Sequence, residues 1–152
     1  MAVRLGVVWP CALLLAGALI GSAATAQVSE ADSIRSRAGA VLRAYRARDV
    51  DALVAFVPPA QLAQARASLV VGSSRYESIF GESSWRWRAV REWNGVLGEV
   101  RVQGTQARVR FAALPDGEVA VVTLRKIDQI WYFDDVHSPS SSDFAAWGQR
   151  VE

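Results

Sequence analysis

The chain has 152 residues, with 17 Lys and Arg against 15 Asp and Glu, one cysteine and one histidine. This length suits one compact domain and leaves no room for a second. The near balance of charge argues against long-range steering toward nucleic acid. G-x-S-x-G, P-loop, dinucleotide-binding and H-E-x-x-H motifs do not occur in the sequence, so we predict no cofactor.

Residues 1–26 have the three-part pattern of a cleavable secretory signal peptide. A positive charge at Arg4 precedes an apolar run from Leu5 to Ile20, and small residues follow at 24–26. The strongly apolar core is shorter than the roughly 20 residues of a spanning helix, which favours cleavage after Ala26 over an uncleaved anchor. We therefore predict a mature chain that begins at Gln27, is periplasmic or secreted, and has no membrane span and no cysteine.

Helical periodicity fills the first half of the mature chain. Ser29 resembles the start of a capping box, and the apolar stripe of the first helix ends at Tyr45. Asp49 is predicted to cap a second helix, which the proline pair at 58–59 ends. A third helix and a short helical turn follow, each closed by a glycine. The predicted bounds are 29–48, 49–57, 59–72 and 76–81.

From Trp85 onward the apolar residues recur at every second position, which is the period of a strand with one buried face. Asn94-Gly95 indicates a tight hairpin turn, and later turn residues give equally short connections. Helices followed by an antiparallel meander predict an α+β fold, with N-terminal helices packed on a curved antiparallel sheet of about five strands. The predicted strands are 85–93, 97–103, 106–113, 118–126 and 130–136.

This order of elements resembles the nuclear transport factor 2-like superfamily, a cone-shaped α+β fold. The stretch from Ala40 to Phe56 (AVLRAYRARDVDALVAF) and the closing strand from Trp131 to His137 (WYFDDVH) are similar to those of secreted bacterial members of unknown function. The resemblance covers nearly the whole mature chain and implies a single domain over residues 27–152. The superfamily includes isomerases, dehydratases, ligand binders and dimerisation modules, so the fold alone selects no function.

The last strand carries the only candidate catalytic pair. Strict alternation puts Asp135 and His137 on the side of Trp131 and Phe133. A buried carboxylate beside an imidazole can move protons, and the resemblance implies that enzymes of the superfamily use Asp and His in the cone, at other positions. The favoured alternative is that Asp135 bonds nearby backbone and His137 lies in a solvated loop. Depth separates the two readings, because a catalytic pair must lie inside the cone.

Aromatic residues form a second candidate site. Indole and phenyl rings offer a large contact area to a small apolar ligand, although such rings more often fill the core between helices and sheet. The predicted ligand-binding residues are Trp87, Trp93, Phe111, Trp131 and Phe133.

These patterns predict an exported, non-catalytic binding or protein-interaction module of the bacterial envelope. Such a module holds a small apolar ligand in a cone-shaped pocket, or pairs with itself or with an envelope protein. The alternative is a small isomerase, dehydratase or hydrolase that uses Asp135 and His137. We predict no metal site, because Asp134 and Asp135 would point to opposite sides of a strand and could not easily share an ion. A metal site made of carboxylates alone is the alternative.

Overall fold

The computed structural model of the protein describes residues 29–152, so the predicted signal peptide and Gln27 lie outside the described residues. The described chain is an α+β fold, and its helices are not confined to the N-terminal side, because one lies between the last two strands. The helices are α1 (Glu30–Arg46), α2 (Val50–Val54), α3 (Leu62–Ser68), α4 (Ser74–Phe80), α5 (Trp85–Glu92) and α6 (Ser141–Ala146). The strands are β1 (Val100–Gln103), β2 (Gln106–Ala113), β3 (Val119–Ile127), β4 (Ile130–His137) and β5 (Gln149–Val151).

The predicted starts of the first two helices are confirmed. The Ser29 side chain accepts a hydrogen bond from the Asp32 amide, and the Asp49 carboxylate accepts one from the Ala52 amide. The third helix is shorter than predicted and ends at Ser68 instead of reaching 72. None of the residues of α3 is buried, so no packed face extends this helix.

The predicted strand at 85–93 is wrong, because these residues form α5. Ser84 caps the helix by accepting a hydrogen bond from the Trp87 amide at 3.4 Å. Trp87 and Val90, one helical turn apart, are buried, whereas Arg91, which strict alternation would turn inward, is exposed. The sequence WRWRA thus imitates a period of two while its burial follows a helix. Asn94-Gly95 accordingly joins a helix to a strand and forms no hairpin.

The five strands form one antiparallel sheet in the order β4-β3-β2-β1-β5. The four later predicted strands are confirmed as β1 to β4. The fifth member of the sheet is β5, which follows α6 and pairs with β1 through Val100 and Val151. Three residues are too few to show an alternating pattern, and for this reason the sequence did not predict β5.

The two faces of the sheet are covered differently. The inner face packs against α1 and α5 in the main core, where Ile34 and Leu42 of α1 meet Val109 and Leu124 of the sheet. The outer face carries a smaller cluster in which Phe144 of α6 packs on β3. The main core therefore lies between the helices and the inner face.

A β-bulge in β4 changes which side chains share a face. Phe133 pairs with Leu124 and projects to the inner face, whereas Asp135 pairs with Thr123 and projects to the outer face. Asp134 is the extra residue between them. The predicted common face for the aromatic rings and the two polar side chains is therefore wrong, because the bulge reverses the alternation.

Candidate functional site

A cavity of about 170 Å³ lies where the helices meet the free edge of β4, and it is more enclosed than three other depressions of the surface, beside Trp85, Ser33 and Asn94. Its volume is comparable to that of a cavity of about 150 Å³ that admits benzene. The apolar lining residues are Leu53, Val54, Val57, Ala65, Leu69, Ile79, Phe133 and Val136. The polar lining residues are Tyr45, Gln61, Ser68, Arg75, Ser78, Arg86, Asp134 and Asp135.

Backbone hydrogen bonds fix the β4 wall of this cavity to the helical layer. The Phe133 amide donates to the Phe56 carbonyl at 2.7 Å. Arg86 of α5 donates from Nε to the Val136 carbonyl, also at 2.7 Å. Unpaired amides and carbonyls on a strand edge need partners, and these two bonds satisfy the edge beside the cavity. The cavity wall is therefore held in place on both sides of the bulge.

Tyr45 is the most buried polar side chain of the cavity. Its hydroxyl donates a hydrogen bond to the Ile79 carbonyl at 3.0 Å. Burial raises the pKa of Tyr45 above its ordinary value; Arg86 and Arg75 oppose this shift, whereas Asp135 adds to it. The tyrosine is consequently neutral at physiological pH and uses its only proton within the protein.

The charged side chains of the cavity are only partly paired. Asp134 accepts a hydrogen bond from Arg125 at 2.9 Å, and Arg125 lies outside the cavity. Arg86 Nε lies 4.0 Å from an Asp135 oxygen, which is beyond hydrogen-bond distance. Arg75 also lines the cavity. Because Asp134 is paired with Arg125, only the Asp135 carboxylate balances the two arginines of the cavity. One positive charge is therefore uncompensated.

Four of the five predicted ligand-binding residues lie in the core. Trp87, Trp93, Phe111 and Trp131 are 4–6% exposed and belong to the main cluster of buried side chains. Of the five, Phe133 lines the cavity, and it is partly exposed. Filling of the space between helices and sheet thus accounts for the placement of the other four rings.

The structure does not bring Asp135 and His137 together inside the cavity. Asp135 borders the cavity at the free edge of β4, although its position in the strand belongs to the outer face, and its side chain is 54% exposed; His137 is not among the lining residues. His137 ends β4 and lies in no solvated loop; it is partly buried, with Nδ1 3.2 Å from the Thr123 hydroxyl. Burial and then Arg108 lower the pKa of His137, while Asp135 opposes the shift.

Sequence reasoning missed the polar residues that converge on the cavity. Tyr45 was predicted only as the end of an apolar stripe, Arg86 was placed on a strand, and Arg75 belonged to no pattern. One signal was present: Ser84 is a good cap residue directly before the run, and its recognition would have assigned Arg86 to a helix.

No protein-family model, no curated protein and no solved structure matches this chain. Between residues 29 and 152, His, Cys, Asp and Glu side chains form no group of three or more that could hold a metal ion. In the same part of the chain, every helix is too short or too polar to cross a membrane.

Proposed function

We propose that the protein is an exported, non-catalytic binding module of the bacterial envelope, which holds a small, largely apolar ligand in the cavity beside β4. The observation that carries this proposal is a partly enclosed space of about 170 Å³, whose walls combine apolar side chains such as Leu53 and Phe133 with polar ones such as Tyr45 and Arg86. Ligand sites in proteins have this composition, because apolar contact supplies affinity and a few polar groups fix orientation.

The placement of the polar side chains supports binding rather than catalysis. General acid–base chemistry needs a titrating group within hydrogen-bond reach of the reacting atom. His137 bonds Thr123 away from the cavity, and Asp135 is half exposed to solvent. The hydroxyl of Tyr45 holds its proton far above neutral pH. Asp135 and His137 therefore do not form a paired acid and base inside the cavity.

Export and fold family enter the proposal from the sequence. The order of charge, apolar run and small residues in 1–26 supports a secreted product. The resemblance of residues 40–56 and 131–137 supports a nuclear transport factor 2-like domain, and the α+β architecture is compatible with it. Ligand binders are among the members of that superfamily.

The experiment fills the cavity without disturbing the core. Ala65 lines the cavity from α3, while Ala67 on the same helix is exposed and does not line it. We expect hexanol, a small neutral probe, to bind the periplasmic protein in ligand-observed NMR, and Ala65→Trp to abolish that signal. Ala67→Trp, the matched control, should leave it unchanged. Mass spectrometry of the same preparation should give Gln27 as the first residue. Hexanol signals that are equal in both variants would contradict the proposed site.

A further inference from the structure

We infer that the ligand of this cavity is a small amphipathic monoanion, a short-chain or single-ring carboxylate whose charged group lies at Arg75 and Arg86. This inference rests on the proposed binding function and names the chemical class of its ligand. The apolar part of the ligand would lie against Leu53, Ile79 and Phe133, which line the same cavity.

The two arginines supply the cavity with unused hydrogen-bond donors. Within residues 29–152 the Arg75 guanidinium group makes no ion pair and no hydrogen bond, and only the Arg75 carbonyl accepts one, from the Ser78 hydroxyl. Arg86 commits its Nε to the Val136 carbonyl, and its terminal nitrogens have no hydrogen bond within the same residues. A guanidinium group carries five N–H donors in a planar fork that matches a carboxylate. Donors suited to a carboxylate therefore remain at both arginines.

The uncompensated charge of the cavity is positive. The Asp134 carboxylate is bonded to Arg125 and is thereby neutralised. Asp135 compensates one of the two cavity arginines, with its oxygen 4.0 Å from Arg86 Nε. The remaining charge of one positive unit is balanced by a ligand that carries a single negative charge. An amphipathic cation would instead meet two guanidinium groups and be repelled.

The buried Tyr45 helps to define the environment of this charge. Burial is the largest cause of the raised pKa of Tyr45, so this end of the cavity stabilises charge poorly unless the charge is paired. The Arg86 side chain is 35% exposed and is screened less than the exposed Arg75, so electrostatic attraction at Arg86 is stronger than in bulk water. The Tyr45 hydroxyl already donates to Ile79, which leaves the arginines as the strong donors to an anion. Charge pairing with arginine therefore gives the site its selectivity.

The volume of the cavity limits the size of the ligand. A volume of about 170 Å³ holds one ring or a short aliphatic chain together with its head group. Leu53, Ile79 and Phe133 offer no partner for a second charge on the ligand, and an unpaired polar group buried there would be costly. These limits select a short monocarboxylate over a long-chain lipid.

The test compares hexanoate, hexanol and hexylamine, which share one chain length and differ in charge. Dissociation constants would be measured by titration calorimetry or NMR near neutral pH and at low salt. Hydrogen bonds to charged groups are strong enough that hexanoate should bind about tenfold more tightly than hexanol. Hexylamine should bind more weakly than hexanol, because its ammonium group and the uncompensated charge of the cavity are both positive.

Arginine variants locate the effect. Arg75 is exposed, so Arg75→Gln removes its charge without a loss of core contacts and should reduce the preference for hexanoate over hexanol about tenfold. Arg86→Gln should do the same, with the fold checked by circular dichroism because Arg86 also bonds Val136. Arg88→Gln is the matched control, since Arg88 is exposed on the helix of Arg86 and does not line the cavity.

The outcomes separate this inference from the proposed function. Equal affinities for hexanoate and hexanol, both lost in Ala65→Trp, would overturn the anion preference and leave the binding function standing. Failure of all three probes to bind would overturn the binding function itself. Tightest binding of hexylamine, or hexanoate binding that survives Ala65→Trp, would also overturn the inference, because the sign or the place would be wrong.

Discussion

The main core and the wall formed by α3 are buried to different extents. Ile34 and Leu42 of α1 are 0% exposed, whereas none of the residues of α3 is buried. Directly after α3, Val70 and Val71 are 58% and 74% exposed. The residues that stabilise the fold are therefore largely separate from the helix that closes the cavity. Changes in the cavity wall can therefore alter binding while the fold is retained.

This separation has a dynamic consequence. Segments with few buried contacts open locally at a lower free energy than the core. Because α3 lines the cavity with Ala65 and Ser68 and is poorly buried, it is the element expected to open first.

The largest effect is expected from the aromatic rings of β4. Trp131 is 4% exposed, so Trp131→Ala should lower the free energy of unfolding by about 3–5 kcal/mol. Phe133 is only partly buried at the cavity, and Phe133→Ala should cost about 2 kcal/mol and weaken ligand binding. Urea denaturation of both variants measures the difference. Equal losses would mean that Phe133 belongs to the core and that the contrast within β4 is absent.

A smaller effect is expected from the titration of His137 at the end of β4. Its folded pKa lies below the ordinary value of 6.5, so the unfolded chain binds the proton more readily than the folded one. The contribution of His137 to stability is thus fully present above pH 6.5 and is lost as pH falls through the folded pKa.

The control for this titration is His137→Gln, which removes the ionisable group. Urea midpoints of the parent and the variant, compared from about pH 5 to about pH 8, isolate the imidazole because other groups titrate in both proteins. We expect the parent to lose stability relative to the variant on the acid side. The opposite slope would mean that the folded protein favours the charged imidazole and that Asp135 outweighs burial.

The smallest effect is expected from glycine substitutions on exposed helix positions. Ala63→Gly in α3 has an intrinsic helix cost of about 1 kcal/mol, and Ser36→Gly in α1 has a cost of about 0.5 kcal/mol. Because α3 is expected to open locally before the core, Ala63→Gly should lower the free energy of that local opening, whereas Ser36→Gly should act on global unfolding.

Hydrogen exchange provides the direct measurement for this last comparison. Ala63→Gly should speed amide exchange within Leu62–Ser68 and leave α1 protected. Faster exchange in α1 as well as in α3 would show that α3 unfolds together with the core.

Local chemistry made much of the fold predictable. Ser29 and Asp49 cap their helices through nearby amides, and this short-range signal survives any tertiary arrangement. The four strands β1 to β4 alternate clearly and are joined by turns, so their pairing also followed from the sequence. The α+β class was predictable for the same reason. Where the local signal was ambiguous, as in WRWRA, the prediction failed, because burial by distant residues decides between helix and strand.

The sequence by itself determined the caps, the main strands and the apolar composition of the core. Only the tertiary structure decided where the cavity lies, because Tyr45, Arg75 and Phe133 are far apart in the chain and meet through packing. The bulge at Asp134 likewise sent Asp135 to the outer face, against the alternation of its strand. Alternation describes a regular strand, whereas a bulge depends on pairing with β3, and a cavity on how several elements fail to fill a space. Both are properties of contacts between segments distant in sequence.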